Sequence, residues 1–485
     1  MEENAEPVPN FIGGRWVHPR VEHCADVFNP SLGEPIARTP LGTAADVDAA
    51  VLAAKAAFPA WRDTPAVVRA RSMFRFRAAL ECHFEDLARL VTTENGKTLD
   101  EARGSVRRGI ECVEVACAAP SLMMGMALEN VGPGIDSCLV RQSIGVSAII
   151  APFNFPAMVP LWFLPFAVVA GNTVVLKPSE QVPLSMHRVF ELLGGCDLPP
   201  GVVNLVNGTR EVVNALCDHP DVRTVSFVGS TPIARHVYQR ATQAGKRVQA
   251  LGGAKNFIVV MPDADLDRAI PGIVESFFGC AGERCLAGSV LLPVESVHAE
   301  ARDRMVAAAR ALKVGDGAQD GVTMGPLISA RHRARVVEYI GRGVADGARL
   351  LLDGRGLTVA DRPNGFFLGP TVFDGVSPDM PIARDEIFGP VAAIHPVRSL
   401  DEALGVIDRH PNANATSIFT TSGRAAREFS HRVAPTMVGV NVGVAAPMAY
   451  FPFGGAKDSF FGDLKAHGRD AFEFYTDKKV VITRW

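Results

Sequence analysis

Apolar and polar positions follow two different patterns along this chain. In the first quarter, Ala and Leu recur every three or four residues, which predicts helices over 46–58, 67–93 and 98–118. Farther along, helical stretches separate short runs rich in β-branched residues, which indicates βαβ units and a mostly parallel sheet. These runs are 147–150, 173–176, 202–206, 224–228 and 257–260.

Three further stretches extend this pattern. A second alternating series of helical and β-branched segments spans 279–436. The apolar stretch 157–176 is interrupted by prolines and a glycine, so we expect a buried helix and a buried strand rather than a membrane span. The stretch 472–485 has the pattern of a strand with a charged centre, and such a strand often pairs with another element or another subunit.

Charge and composition bear on the class of protein. The formal net charge of the 485 residues is −3 and no basic block occurs, so we expect no nucleic-acid partner. The acidic start has no signal-peptide pattern, and the nine cysteines form no CxxC pair, which together favour a reducing cytoplasm. The twelve histidines are scattered, without HExxH or a Cys-His cluster at ligand spacing, so we expect no metal site.

A cysteine in a run of small residues is the first candidate for chemistry. The string GCAGERCLAG, residues 279–288, contains Cys280 and Cys285. Small neighbours leave Cys285 open to a ligand, and the adjacent Arg284 would favour the thiolate, which is the reactive form. A lone cysteine is more often a small buried apolar side chain, which is our interpretation of Cys280. The case for Cys285 as a nucleophile depends on the motifs that accompany it.

Two motifs follow predicted strands and carry polar side chains. In APFNFP, residues 151–156, Asn154 could donate to a developing oxyanion, although a turn is the more frequent role for such a residue, and Phe153 is a candidate cofactor contact. In KPSE, Lys177 and Glu180 could donate to and accept from ribose hydroxyls. That carboxylate would repel the 2′-phosphate of NADP, which favours NAD; a solvated surface pair is the alternative.

Two shorter motifs offer further cofactor contacts. Gly229 and Ser230 follow the strand 224–228 at the start of a helix, where backbone amides could meet a pyrophosphate. In DEIFGP, Glu386 and Phe388 place a carboxylate close to an aromatic ring, which could hold a second ribose and form a wall for a nicotinamide. Each of these strings alone is weak, because isolated strings of this kind are frequent in turns.

The order of these strings resembles the aldehyde dehydrogenase superfamily over essentially the whole chain. The matching strings are PFNFP, KPSE, FVGS, LGG, GERC, EIFGP and FYT. The resemblance implies an α/β aldehyde dehydrogenase fold with a Rossmann-like NAD-binding domain over 1–125 and 145–250 and an α/β catalytic domain over 251–445. A small β oligomerisation domain with the tail would use 126–144 and 446–485, and a homodimer or homotetramer is expected.

The resemblance also assigns roles to individual residues. Cys285 would attack the carbonyl carbon of a small aldehyde, while Asn154 and the backbone N–H of Cys285 hold the oxyanion. Hydride would pass to NAD and leave a thioester on the cysteine. Lys177 and Glu180 would bind the adenosine ribose, and Glu386 would bind the nicotinamide ribose.

The chain departs from this superfamily where a general base is expected. Most members carry a glutamate in the Glu-Leu-Gly-Gly string that activates the water for thioester hydrolysis. Here Ala250 precedes Leu-Gly-Gly, and Arg469 stands where the tail often holds a second glutamate. Neither side chain serves as an ordinary general base, so a thiol such as coenzyme A is the expected acyl acceptor.

These departures are similar to the CoA-acylating methylmalonate-semialdehyde dehydrogenase branch, as are the strings GAKN and VVMPDA and the ending at a tryptophan. That branch converts malonate or methylmalonate semialdehyde to acetyl- or propionyl-CoA with loss of CO2. A carboxylated substrate implies fixed cations, for which Arg284, Arg108 and Arg107 are candidates. Arg108 is favoured over Arg107, and a solvated helix face is the alternative for Arg108 and Arg284. Phe257 stands where this branch has histidine, which leaves the exact aldehyde open.

Two other functions stay open at this point. A hydrolytic aldehyde dehydrogenase would find its base elsewhere and release the free acid. A catalytically silent structural or binding protein would be expected to lose the cysteine or the cofactor residues, whereas this sequence retains both.

Overall fold

The computed structural model describes residues 6–19 and 21–485. The chain begins with two antiparallel hairpins and continues into five helices. These elements are β1 (Asn10–Ile12), β2 (Arg15–Val17), β3 (Cys24–Asn29), β4 (Glu34–Pro40), α1 (Ala44–Asp63), α2 (Ala66–Cys82), α3 (Phe84–Asn95), α4 (Leu99–Cys117) and α5 (Ala119–Leu122). The predicted helical regions are confirmed, and the stretch 67–93 is divided at His83, whose φ of −108° and ψ of 22° interrupt the helix.

The middle of the chain alternates strands with helices, as the sequence predicts. Its elements are β5 (Met126–Gly132), β6 (Ile135–Ser143), β7 (Val146–Ile150), α6 (Met158–Leu161), α7 (Leu164–Val169), β8 (Thr173–Lys177), α8 (Leu184–Gly194), β9 (Val203–Leu205), α9 (Arg210–Asp218), β10 (Val222–Val228), α10 (Thr231–Gln243), β11 (Arg247–Leu251), β12 (Asn256–Val260) and α11 (Leu266–Phe278). The apolar stretch 157–176 is buried throughout, in α6, α7 and most of β8. Within residues 6–19 and 21–485, no helix is both long and apolar enough to cross a membrane.

The last part begins with a tight turn at Gly279–Gly282 and then alternates again. Its elements are β13 (Gly288–Pro293), α12 (Glu295–Arg310), α13 (Ala330–Ala345), β14 (Arg349–Leu352), β15 (Thr371–Asp374), α14 (Pro381–Arg384), β16 (Val391–Ile394), α15 (Leu400–Arg409), β17 (Asn412–Ala413), β18 (Ala415–Phe419), α16 (Gly423–Arg432), β19 (Met437–Val440), β20 (Ala456–Lys457), β21 (Phe460–Gly462), α17 (Gly468–Phe474) and β22 (Thr476–Arg484).

Two large sheets carry most of the strands. The first has eight strands in the order β2-β1-β9-β8-β7-β10-β11-β21, and its five central strands are parallel. The second has seven strands in the order β14-β15-β16-β13-β12-β18-β19, and all but the edge strand β14 are parallel. Their inner strands are fully buried, which explains why they are runs of Val, Ile and Leu rather than alternating patterns.

A third sheet joins distant parts of the chain. Strand β22 pairs antiparallel with β6 over nine residues, from Thr476 opposite Ser143 to Arg484 opposite Ile135, and β5 flanks β6 on its other side. The predicted C-terminal strand is therefore present and pairs within the chain. Its predicted start at residue 472 is wrong, because 472–474 belong to α17, in which Phe472 and Phe474 are buried.

The candidate site residues lie at corresponding ends of parallel strands. Asn154 follows the end of β7, Lys177 ends β8, and Ser230 follows β10. In open α/β sheets, ligands bind in the crevice outside these carboxyl ends. The segment that leads to Cys285 reaches the same region from the second sheet, since Asn154 donates to the carbonyl oxygen of Glu283.

Candidate active site

The segment before Cys285 is held in an unusual backbone conformation. Helix α11 ends, and Cys280, Ala281 and Gly282 then adopt φ values of 52°, 52° and 74°. A Cβ on Gly282 would approach the carbonyl oxygen of Gly389 to 2.3 Å, so glycine is required there. The cap of α4 fixes this turn, because Glu101 accepts from the backbone N–H of Cys280 at 2.5 Å.

Two carboxamides fix the backbone of Cys285 itself. Nδ2 of Asn256 and Nδ2 of Asn414 each donate to the carbonyl oxygen of Cys285 at 2.9 Å. Asn256 also donates to the carbonyl of Ala287 at 2.8 Å and accepts from the N–H of Ala415 at 3.0 Å. The nucleophile segment is therefore tied to the start of β12 and to the segment just before β18.

The environment of Cys285 opposes its thiolate. Burial, together with the nearby Glu386, raises the pKa of Cys285 to about 12, although Arg284 acts in the opposite direction. The expected effect of Arg284 is therefore present but outweighed. The side chain is half-buried and lines a cavity of about 590 Å³, so it is accessible to a small molecule.

Asn154 lies beside the nucleophile segment, as the oxyanion role requires. Its Nδ2 donates at 3.0 Å to the carbonyl oxygen of Glu283, two residues before Cys285. Its backbone carbonyl accepts from Nζ of Lys97 at 2.6 Å, and that Nζ also lies 3.7 Å from the centre of the Phe155 ring. Glu283 therefore holds the carboxamide of Asn154, and Lys97 holds its backbone carbonyl.

The cavity that contains Cys285 also brings two predicted cations together. Arg284 and Arg108 line it, and Nη1 of Arg108 is 2.8 Å from Oε2 of Glu111. Arg107 lies on another side of α4, where it forms a bidentate pair with Glu81 and does not line the cavity. Of the two adjacent arginines, Arg108 is therefore the one that can meet a ligand beside Cys285.

Arg284 is held against Cys280. Its Nη2 lies 3.4 Å from Sγ of Cys280, which lines the same cavity. Burial opposes the charge, but Cys280 and Glu101 raise the pKa of Arg284, so the guanidinium stays protonated. Cys280 is buried, as expected, but it also contacts the cation next to the nucleophile.

The carboxylates that line the cavity are mostly engaged. They are Asp100, Glu101, Glu111 and Glu275. Both oxygens of Glu101 accept backbone N–H groups, and Glu111 and Asp100 are paired with arginines. Glu275 is exposed on α11.

Strand β11 carries Ala250, where the resemblance expects a general base. The side chain of Ala250 belongs to an apolar cluster with Phe227 and Val248, separate from the cluster that Cys285 borders. The next residue, Leu251, is the one that belongs to the cluster beside Cys285, because successive side chains of β11 face opposite sides of the sheet. Neither side chain carries a base, and Arg469 is exposed on α17.

The predicted adenosine-ribose pair is close together at the end of β8. Nζ of Lys177 is 3.3 Å from Oε2 of Glu180, and the lysine is 4% exposed. Burial lowers the pKa of Lys177, and the ion pair with Glu180 opposes that shift. The side chain of Glu180 is about one third exposed, so the pair presents a donor and an acceptor to a diol and fits a ribose.

The turn after β10 fits a pyrophosphate less well than the sequence suggests. The backbone N–H of Gly229 donates to the carbonyl oxygen of Leu251 at 3.1 Å, so it is already engaged. Ser230 is exposed at the N-cap of α10 and its side chain makes no capping hydrogen bond. An anion at this helix end would therefore meet Ser230 rather than the amide of Gly229.

Glu386 and Phe388 lie beside the start of β12. Oε1 of Glu386 accepts from the N–H of Ala254 at 2.8 Å, and burial raises the pKa of Glu386. The rings of Phe388 and Phe153 meet edge to face with centroids 5.9 Å apart, and Phe388 has a φ of 61°. The two predicted aromatic contacts thus form one wall, although they are distant in the sequence.

Several residues of the site have no signal in the sequence. They are Lys97, Asn256, Asn414, His332 and His467. Nε2 of His332 is 2.6 Å from the carbonyl of Phe388, and His467 lines the cavity. The run GAKN contains Asn256, but its spacing does not indicate a contact with Cys285. Among the described residues, no group of three or more His, Cys, Asp or Glu is placed to hold a metal ion.

Comparisons with known proteins identify the family of this chain. The model of the aldehyde dehydrogenase family matches residues 16–481. The chain is 50% identical to malonate-semialdehyde dehydrogenase 2 of Geobacillus kaustophilus over 485 residues, which is 100% of both. Among solved structures, methylmalonate-semialdehyde dehydrogenase of Oceanimonas doudoroffii is 46% identical with a TM-score of 0.97, over 99% of this chain and 98% of the other. A Sinorhizobium meliloti protein assigned the same activity and complexed with NAD is 41% identical with a TM-score of 0.98, over 100% and 99%.

Proposed function

Because the chain belongs to the aldehyde dehydrogenase family and has that fold, we propose that it is an NAD-dependent, CoA-acylating malonate- or methylmalonate-semialdehyde dehydrogenase. The observation that carries this proposal is the cavity in which Arg108 and Arg284 accompany Cys285. Two fixed cations beside a nucleophile suit an aldehyde that carries a carboxylate. The names of relatives about 50% identical over the whole chain support the same substrate class.

The chain's own residues can perform the oxidation through a thioester. Cys285 reacts as the thiolate after its proton passes to solvent water: Sγ attacks the aldehyde carbon, and the oxygen that becomes negative is held by Nδ2 of Asn154 and the backbone N–H of Cys285. NAD, when bound, supplies the hydride acceptor and is held by Lys177, Glu180 and Glu386. The carbonyl of the intermediate then re-forms as a thioester on Cys285.

Coenzyme A is the proposed acyl acceptor because neither position at which the resemblance expects a base for water, Ala250 or Arg469, holds a carboxylate. Leu251 and Ala250 are apolar, and Glu101 is bound through both oxygens. General-base help is typically worth about 10²–10⁴-fold, so unassisted hydrolysis is slower by about that factor. For malonate semialdehyde, the balanced reaction consumes the semialdehyde, NAD and CoA and yields acetyl-CoA, CO2 and NADH.

We propose that the functional unit is a cytoplasmic homodimer or homotetramer. The third sheet exposes apolar side chains on both of its edge strands, including Met126 and Leu128 of β5 and Val480 and Ile482 of β22. Exposed apolar patches of this kind mark protein–protein contacts. In this proposal the oligomerisation segments are 126–144 and 446–485. The NAD-binding domain comprises 1–125 and 145–250, and the nucleophile belongs to the catalytic domain, 251–445.

The test of the proposed function is stopped-flow detection of NADH, followed by mass spectrometry of the products. With malonate semialdehyde and no CoA, we expect a burst of NADH equal to the active sites and slow turnover afterwards. Addition of CoA should start steady turnover and yield acetyl-CoA. Steady turnover to a free acid, unchanged by CoA, would instead support the hydrolytic alternative.

That hydrolytic alternative has one specific observation in its favour. Glu275 lines the cavity and is exposed, and among the described residues its carboxylate is paired with neither an N–H group nor an arginine. If hydrolysis is observed, Glu275→Gln should slow it without slowing the NADH burst. A CoA-dependent enzyme should be insensitive to this change.

A further inference from the structure

One polar side chain of the cavity has no role in the proposed chemistry. His467 is 4% exposed, and neither ring nitrogen has a hydrogen-bond partner among the described residues. It lines the same cavity as Cys285, Arg108 and Arg284. Burial of a polar group without a partner costs free energy. An unpaired polar side chain that lines a cavity can therefore form a hydrogen bond with a ligand bound there.

The backbone fixes the position of this imidazole. His467 has a φ of 70°, a conformation that non-glycine residues rarely adopt. The residue before it is bonded in both directions to Phe453, and the N–H of Gly468 donates to the carbonyl of Ala449 at 3.0 Å. Strain of this type persists only where the surrounding structure imposes it. The direction of the side chain is therefore set by the fold.

The ring is held between aromatic neighbours. The ring centroid of His467 is 4.9 Å from that of Trp162 and 5.6 Å from that of Phe453. Burial and the charge of Arg108 lower the pKa of His467 to about 3, so the imidazole is neutral at physiological pH. A neutral imidazole has one N–H donor and one acceptor nitrogen.

We propose that His467 is a specificity-determining residue, whose ring N–H donates to a carboxylate oxygen of the substrate beside Arg108. This inference rests on the proposed function, because it takes the ligand to be a carboxylated aldehyde. Arg108 shares its charge with Glu111, and a neutral donor adds a directed hydrogen bond without a further charge. The site therefore distinguishes a carboxylated aldehyde from a plain one by both charge and hydrogen bonding.

The test compares malonate semialdehyde with propanal, in which a methyl group replaces the carboxylate. His467→Phe retains a ring of similar size but has no donor, and His467→Gln retains a donor. A hydrogen bond to a charged group corresponds to about a 10- to 100-fold effect. We expect the ratio of kcat/KM for malonate semialdehyde to that for propanal to fall by about this factor in His467→Phe, mainly through KM, and to recover partly in His467→Gln.

Each outcome separates this inference from the function on which it rests. If His467→Phe lowers kcat/KM by the same factor for both aldehydes, His467 has a structural role and the inference is overturned. The inference is also overturned if kcat/KM changes for neither aldehyde. If the wild-type protein has no preference for malonate semialdehyde over propanal, the proposed substrate class fails and the inference fails with it. A wild-type preference that persists in both variants defeats the inference alone. If His467→Phe fails to fold, His467→Leu replaces it as the variant without a donor. The preference for malonate semialdehyde should then fall in His467→Leu and recover partly in His467→Gln.

Discussion

Replacement of Asn256 by alanine is expected to harm the protein more than the same replacement of Asn414. Both side chains are 4% exposed and both donate to the carbonyl oxygen of Cys285 at 2.9 Å. Asn256 makes two further hydrogen bonds, to Ala287 at 2.8 Å and from Ala415 at 3.0 Å. The two variants therefore share the lost contact at the nucleophile but differ in how many other backbone groups lose a partner.

The expected magnitudes follow from these contacts. A buried hydrogen bond contributes about 1 kcal/mol, and a buried group left unsatisfied costs about 1–3 kcal/mol. We therefore expect the free energy of unfolding to fall by about 3–5 kcal/mol in Asn256→Ala and by about 1–2 kcal/mol in Asn414→Ala. Displacement of the nucleophile should also lower the rate of the NADH burst, by about 10- to 100-fold in Asn256→Ala.

Urea unfolding followed by fluorescence measures the stability change, and stopped-flow absorbance measures the burst rate. NAD affinity is the internal control, because neither asparagine belongs to the proposed cofactor residues. The reasoning is refuted if Asn414→Ala loses as much stability as Asn256→Ala, or if both variants retain the wild-type burst rate.

The remaining predictions concern the nucleophile, the cofactor and one buried acid. Cys285→Ala should abolish NADH formation while NAD still binds, whereas Cys280→Ala should retain most of the activity. A rate of NADH formation in Cys285→Ala above about a hundredth of the wild-type rate would rule out this nucleophile. Glu180→Gln should raise kcat/KM for NADP relative to NAD by about tenfold, measured in steady state with one aldehyde, and an unchanged ratio would mean that Glu180 does not face the ribose. Glu94 is completely buried, and burial raises its pKa to about 7, above its ordinary value, so its contribution to stability is present at low pH and is lost as the pH rises through 7. Between about pH 5 and pH 8, the free energy of unfolding of the wild-type protein, measured with urea, should fall by at most about 3 kcal/mol relative to that of Glu94→Gln. A difference between the two proteins that does not vary with pH would refute this expectation.

Linear motifs predicted the residues whose roles depend on a short stretch of chain. Cys285, Lys177 and Glu180 are examples, because each belongs to a short motif that lies next to a strand in the sequence. Asn256 and Asn414 could not be found in this way, since they meet at one carbonyl only after β12 and β18 pair in the second sheet.

Where the sequence misled, the reason is competition between bonds or between elements. Gly229 was expected to offer its N–H to a phosphate, but the end of β11 already accepts it. Residues 472–474 alternate like a strand, but burial of Phe472 and Phe474 is also satisfied by a helix, which is what forms.

The pairing of β22 with β6 has a consequence for biosynthesis. These two strands are separated by more than three hundred residues, and the residue between α17 and β22, Tyr475, also accepts from Asn172 and contacts Ser226. On a ribosome, β5 and β6 emerge long before the strand that covers the edge of β6. Until that strand is released, the nascent chain presents an open, partly apolar edge of the kind that promotes association between chains. We therefore expect the parallel strands β7 to β11 of the first sheet to pair during translation, and the third sheet to close after it.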